Sequence, residues 1–455
     1  MSKPHEKTGA PGRPAGRRWL DIGLGERLGR EFTKLWLAAA VSGAGDGIAL
    51  VAAPLLAASM TGDPRIIAGV ATALTLPYVL FSLPAGVLTD RVNKSRAMAL
   101  VDAFRAVIVG GFTVLVVLDQ VSIPVLYVCF FLIGSCETFF RNTSQALVPQ
   151  VVKREGLALA NGRMIGTEIV TLEFLGPMVG GLLFAVSATL PFGVDAASFA
   201  ISSLLLWTLR PLVPDGPRAR RHPQARRPRR TRFLTDLIDG LRVLWRDRVL
   251  RSLAVIAGLS NFVSFGILAI LVVYARNELH IGNSAYGVLL GSAAVGGLIA
   301  SRLGPVLARA LGSEWTLFVA VAGQVTAYLV LSVTDQPVVA GAALAVAGAA
   351  TVVWNVVAVV LRQTRVSPGY LGRVNSIYRQ VAWGALPVGS ICGGFVAHAY
   401  GTRTVCALGA LLLGMAVLYL LRVAVRHEIS APDRRPAVGT RESVSDLDDE
   451  GEVVP

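Results

Sequence analysis

Gly86-Val-Leu-Thr-Asp-Arg-Val-Asn-Lys-Ser-Arg96 is a short charged island between two long apolar runs, near 66–89 and near 97–118. Each run exceeds the roughly 20 residues that an α-helix needs to cross bilayer hydrocarbon. The island therefore reads as a tight turn at a membrane surface, joining two spanning helices. Its Arg91, Lys94 and Arg96 set a sign for that surface, because basic residues stay preferentially on the cytoplasmic side.

Working outward, further runs predict helices near 33–59, 123–148, 160–187 and 190–209. A polar stretch follows, and then helices near 250–274, 284–309, 314–333, 337–361, 374–399 and 401–424. Twelve spans result, numbered 1 to 12 in chain order. With that count the amino-terminal tail (Arg17, Arg18, Arg27), Lys153/Arg154, the middle loop, Arg365/Arg373 and Arg422/Arg426 all fall on the surface of the island. The opposite surface holds little beyond Arg65, Arg276 and Arg403. Both termini are expected in the cytoplasm, with the chain multi-pass in the cell (plasma) membrane.

Composition agrees. Of 455 residues 53% are hydrophobic and only 16% are charged, well below the roughly 25% charged of soluble domains. An ordinary soluble enzyme, a disordered chain and a disulfide scaffold are excluded. Cys129, Cys136, Cys392 and Cys406 sit within apolar runs as small hydrophobes, with no metal or redox spacing. The first apolar run is long enough to span, so no cleaved signal peptide is expected. The net charge of +14 follows the same sidedness. The basic cluster from Arg218 onward reads as attraction to anionic lipid, with no nucleic-acid partner. Leu234, Leu237, Ile238, Leu241, Leu244 and Trp245 share one helical face, which suggests an amphipathic helix on the inner leaflet.

The expected organisation is a basic tail (1–32), a six-helix bundle (33–210) and a cytoplasmic linker with the amphipathic helix (211–249). A second six-helix bundle (250–425) and a disordered acidic tail (426–455) complete it. Two six-helix halves imply an internal duplication of the kind common in secondary transporters. Leu175-Gly-Pro-Met-Val-Gly-Gly181 in helix 5 and Leu386-Pro-Val-Gly-Ser-Ile-Cys-Gly-Gly394 in helix 11 support it. Both set a proline among small residues that let backbones approach closely.

The island resembles the signature loop of the major facilitator superfamily, roughly Gly-x-x-x-Asp-Arg-x-Gly-Arg-Arg/Lys, through Gly86, Asp90, Arg91, Lys94 and Arg96. Asn93 stands at the usual glycine, which a tight turn tolerates because Asn enters the left-handed region. Gly45-Asp-Gly47, Asp102-x-x-Arg105, Ala160-Asn161, Asp195-Ala-Ala-Ser-Phe199 and Gly372-Arg-Val-Asn375 are similar to a bacterial subgroup of macrolide-efflux pumps and enterobactin exporters. The resemblance spans about residues 33–425. It implies an all-α polytopic membrane protein of the major facilitator fold, with 12 transmembrane helices in two six-helix bundles. It further implies a monomeric secondary active transporter: proton-coupled efflux of a drug-like, macrolide or siderophore-type molecule by alternating access. An importer of the same fold and a non-transporting sensor or scaffold are the alternatives. The helix 5 core Gly176, Pro177, Gly180 and Gly181 is retained, while Arg163 and Leu172 replace glycines that exporters often carry upstream. In the second half Ser301 stands where the loop of the first half has its acid.

Several residues are candidates for the work. Asp90 ends helix 2 close to where helix 11 begins, so a contact with Arg373 or with that helix's start would latch the cytoplasmic side. Ionisable groups inside spans are costly and default to function, and an intramembrane carboxyl can take up and release a proton. Asp46 in helix 1 is the first candidate for proton coupling and Glu173 the second, with Glu168 and Glu137 behind them. Glu168 and Glu173 point about 140° apart on a regular helix, so at most one faces a cavity squarely. Glu137 and Arg141, four apart on one face, are equally readable as a structural pair. Asp102 with Arg105, and Asp195, read as structural. The resemblance places substrate contacts on helices 1, 4, 7 and 10, where Asn261, Phe262, Phe265, Trp354 and Asn355 combine aromatic faces with amides. The Gly43-x-Gly45-x-Gly47 run lies inside a span and follows no strand, and no phosphate-binding loop of the Walker type occurs. Neither a cofactor nor a metal nor a catalytic residue is expected.

Overall fold

The computed structural model describes residues 28–89, 92–210 and 240–425. These form twelve long helices: α1 (Arg30–Met60), α2 (Pro64–Thr89), α3 (Lys94–Val117), α4 (Ile123–Val151), α5 (Leu157–Val186), α6 (Leu190–Trp207) and α7 (Arg248–Asn277). Then come α8 (283–311), α9 (313–333), α10 (Pro337–Arg365), α11 (Pro368–Tyr400) and α12 (Thr402–Val425). The shortest, α6, has 18 residues and so measures about 27 Å at 1.5 Å per residue, close to the hydrocarbon thickness. α8 and α9 run together as 51 residues and are separated by Gly312, whose φ of 76° and ψ of 166° no helix contains. Gly401, at φ 86°, makes the equally abrupt turn between α11 and α12. An even number of crossings returns Val425 to the surface from which Arg30 starts. We call this the terminal end and the opposite surface the far end.

Glycines hold the helices together, since in lipid close packing replaces the hydrophobic drive between them. In the first half α1 crosses α5 so tightly that a Cβ on Gly176 would lie 2.6 Å from Gly47 Cα, and one on Gly180 2.5 Å from the Ile48 carbonyl. The second half repeats this between α7 and α11: Gly389 abuts the Phe262 backbone and Gly393 abuts Gly266. The neighbouring glycines turn outward to the other half. Gly181 lies against Gly287 of α8, and Gly394 lies against Pro64 and Arg65 of α2. The α2–α4 crossing at Leu74 and Gly134 is matched by α8–α10 at Ala293/Gly348 and Ala345/Gly296. The duplication read from the two motifs is thus geometric.

Three local readings change. Asn93 is extended (φ −70°, ψ 112°) and not left-handed; its side chain accepts the Arg96 N–H at 3.1 Å and caps α3. A side-chain acceptor, not backbone freedom, suits asparagine to that place. α5 winds as a π-helix over Ile169–Leu175, just before Gly176-Pro177. Proline has no N–H to give to the preceding turn. The regular-helix angle between Glu168 and Glu173 therefore does not hold, and the two carboxylates lie within electrostatic reach of each other. Of the amphipathic segment, residues 240–246 are helical, and Leu234, Leu237 and Ile238 lie outside the described residues. Its face is divided: Leu244 is fully buried in the second-half core, while Leu241 and Trp245 are exposed. Gly240 rests against Arg373 and Ile377 of α11.

Candidate functional site

α1, α3, α4 and α5 converge on a chain of ion pairs inside the first half. Arg105 of α3, fully buried, holds Glu137 of α4 at 2.5 Å and lies 3.7 Å from Asp46 of α1 and 3.6 Å from Asp102. Its guanidinium also stacks 4.6 Å over the Phe199 ring. Glu137 passes the chain to Arg141 at 3.1 Å, and Arg141 reaches Glu168 of α5 at 2.5 Å. Ser202 of α6 donates to Asp102 at 2.5 Å. The pair expected within α4 is therefore one link of a network crossing four helices. Four carboxylates share two guanidiniums. Two more acids stand close by: Glu173, exposed on α5, and Asp195 of α6, fully buried beside Gly45. Asp195 thus sits one residue from Asp46 on the α1 surface. In this interior cluster the acids outnumber Arg105 and Arg141.

The second half is built differently. A cavity of about 500 Å³ opens among α7, α9, α10 and α11, from the middle of the bundle toward the terminal end. Trp354 and Asn355 of α10 and Asn261 of α7 line it. Asn261 donates to the Ala382 carbonyl at 2.8 Å. Ser260, Gln324 and Thr351 form a continuous hydrogen-bonded string along one wall, at 2.6 and 3.0 Å. Nearer the terminal end the walls carry Arg362 and Arg379, and among the described residues no acidic one lines the space. The cavity draws on helices 7, 9, 10 and 11, not on 1, 4, 7 and 10. Phe265 lies instead in a 60 Å³ apolar pocket between the halves, with Pro54, Phe130 and Tyr286. Phe262 packs beside the core of the second half, its backbone against Gly389.

The halves meet through α2 with α11 and α5 with α8. Tyr78, within electrostatic reach of Glu137 and Arg141, stacks edge-on against Trp383 of the cavity at 5.5 Å. Ser82 donates to Gln380 at 3.0 Å. At the far end Arg276 donates to the Ala58 carbonyl at 2.6 Å, and His398 lies 3.3 Å from Asp63. Asp63 also accepts from Arg65 at 2.7 Å, and that hydrogen bond holds its carboxyl down at about 2. The far end is closed by these contacts, and the cavity lies on the terminal side of them.

Asp90 and Arg91 lie outside the described residues, so the latch they would form does too. Gly86 lies in the last turns of α2, Lys94 is buried at the start of α3, and Arg96 is exposed. Arg373 stacks 5.3 Å over Tyr370. Sequence reasoning missed Arg362, Gln324, Tyr378 and Trp383, which lie far apart in the chain. Their only prior signal was polarity or aromaticity inside a span.

Comparison with known proteins agrees with this arrangement. The chain is 26% identical over 409 residues to the multidrug efflux pump Tap of Mycolicibacterium fortuitum, covering 87% of this chain and 97% of that protein. It is 24% identical over 412 residues to the enterobactin exporter EntS of Escherichia coli, covering 88% and 94%. In fold it is similar to the nucleoside transporter NupG (TM-score 0.70, 13% identity, 87% of this chain and 99% of that one). It is similar also to a bacterial homologue of the iron transporter ferroportin in an inward-facing state (TM-score 0.66, 17% identity, 87% and 99%). Residues 29–448 match the family described as transmembrane secretion effectors. The chain is a transporter of the major facilitator superfamily and belongs to that family of transmembrane secretion effectors.

Proposed function

We propose that this transporter is a proton-coupled exporter of small organic molecules working by alternating access. The observation that carries the reading is the acid excess of the first half: Asp46, Asp102, Glu137 and Glu168 share Arg105 and Arg141. A buried carboxylate without a cation is expensive, so the network balances its charge by holding a proton, and releasing that proton changes its pairing. Asp46 is the primary carrier, because it has one distant partner at 3.7 Å and is itself partly exposed. Glu173 is the second. Efflux fits the names of the relatives, and a 500 Å³ cavity suits a drug-sized molecule. The basic loops favour cytoplasmic termini, and on that orientation the cavity takes its cargo from the cytoplasm or inner leaflet. Asp90 and Arg373 would latch that side in the opposite state.

The test is accumulation of a labelled compound panel in efflux-deficient cells expressing the protein, with and without a protonophore and beside Asp46→Asn. Lower accumulation, restored by the protonophore and lost in the variant, is expected. Higher accumulation would establish import. Export insensitive to the protonophore would remove the proton.

A further inference from the structure

The wall of the second-half cavity carries hydrogen-bonding groups that the protein itself does not use. Arg362 Nη1, Trp354 Nε1 and the Tyr378 hydroxyl are buried with no hydrogen-bond partner among the described residues, and all three residues line the cavity. Each side chain is more than nine-tenths buried: Arg362 is 8% exposed, Trp354 6% and Tyr378 8%. Leaving such groups unpaired costs about 1–3 kcal/mol each, more for a charged one, so a fold that buries three together has a use for them. The guanidinium is held in place. Nε donates to Asn375 Oδ1 at 3.0 Å, and its plane stacks 3.6 Å over the Tyr378 ring, which directs the remaining N–H edge. Arg379 adds a second cation, its guanidinium 5.8 Å over Trp383. Two of the three unpaired groups can only donate, the guanidinium and the indole N–H, and the hydroxyl can do so. With no acid on the lining, the natural complement is an oxyanion.

From this we propose that the cavity recognises its cargo by an acidic oxygen group, a carboxylate or an ionised phenol, attached to an aromatic or otherwise planar body. Arg362 supplies the charge and a directed donor edge. Trp354 and Tyr378 add N–H and O–H donors, and the Trp383 face takes the planar part. The Tyr78–Trp383 pair stands between this subsite and the acids of the first half, so the oxyanion is kept from Glu137. This deepens the exporter reading and rests on it for the word cargo, while binding itself needs no gradient and no export.

The test uses rhodamine 110, which carries a free carboxylate, and rhodamine 123, its methyl ester, with the same ring system. Fluorescence polarisation with the purified full-length protein in nanodiscs gives both Kd values. Rhodamine 110 is expected to bind about tenfold tighter or better, the worth of a charge-assisted hydrogen bond. Trp354→Phe and Tyr378→Phe each remove one unpaired polar atom and keep an aromatic ring. Each should weaken the acid by about fivefold or more, and the ester by less. Arg362→Gln should abolish the preference, with the melting temperature recorded to show that the variant is folded. Equal affinity for the two dyes, tighter binding of the ester, or equal loss of both in the phenylalanine variants would overturn the proposal. So would absence of saturable binding by either dye and by benzoate. If the acid preference is found but cells export nothing, the subsite stands and the exporter reading fails.

Discussion

Arg105 is the residue on which the interior of the first half depends. It is one of the largest fully buried side chains among the described residues, and three carboxylates from α1, α3 and α4 lie within 3.7 Å of it. Breaking a buried ionic cluster by removing its cation costs about 3–5 kcal/mol. Arg105→Gln should therefore lower the melting temperature sharply, and pairing it with Glu137→Gln should recover part of the loss, as a thermal-shift series would show. At the far end Asp63 offers a different test. Its carboxyl is held down at about 2, below the ordinary 3.8, chiefly by the Arg65 hydrogen bond. A depressed folded-state value means a contribution that is complete above 3.8 and fades only as the pH falls through about 2. Across the halves that carboxylate meets His398 at 3.3 Å. With spin labels at Met60 and Tyr400 and the pH fixed at about 5, above both values, Asp63→Asn and His398→Gln should each widen the separation. An unchanged separation in both variants would show that this contact does not hold the closure.

The helix crossings make a prediction that a single helix can settle. On α5, Gly166 has open space where a Cβ would go, whereas Gly180 meets the Ile48 carbonyl at 2.5 Å. Gly166→Ala should stabilise by up to about 1 kcal/mol through helix propensity, and Gly180→Ala should cost about 1–3 kcal/mol as α1 and α5 are forced apart. Unfolding curves in detergent compare them directly, and equal effects would disprove the account of the crossing. Spans were legible in the sequence because about 20 apolar residues in a row have few other readings, and the glycine motifs were legible because they occur twice. The ionic chain was not. Only Glu137–Arg141 and Asp102–Arg105 lie within one helical turn, and joining Asp46 and Glu168 to them needs the packing of four helices. The π turn of α5 and the capping role of Asn93 were hidden likewise, since each depends on backbone geometry that spacing alone does not contain. Of the expected cavity residues, Asn261, Trp354 and Asn355 share one cavity while Phe265 belongs to a seal between the halves. Apolar residues on neighbouring turns of α7 look alike until their partners are known.

At the scale of the molecule, alternating access requires the far end to open as the terminal end closes. Gly291 of α8 lies where a Cβ would be 3.2 Å from the Met178 side chain of α5. A cysteine pair at 178 and 291, in a background lacking the native cysteines, should lock this state when oxidised. Export should stop and return on reduction, and undiminished export by the oxidised protein would show that α5 and α8 need not part. The two halves also differ in their chemistry. The first confines its ionic chain to its own four helices, while among the described residues the second lines its cavity without an acid. On the proposed reading, engine and lock are then housed in separate halves of the chain. Such a division makes the two separately heritable: a recombinant carrying the first half of this chain and the second half of a relative should keep the drive of one parent and the selectivity of the other. Descent by exchange of halves would let a lineage acquire new cargo without rebuilding the means of moving it.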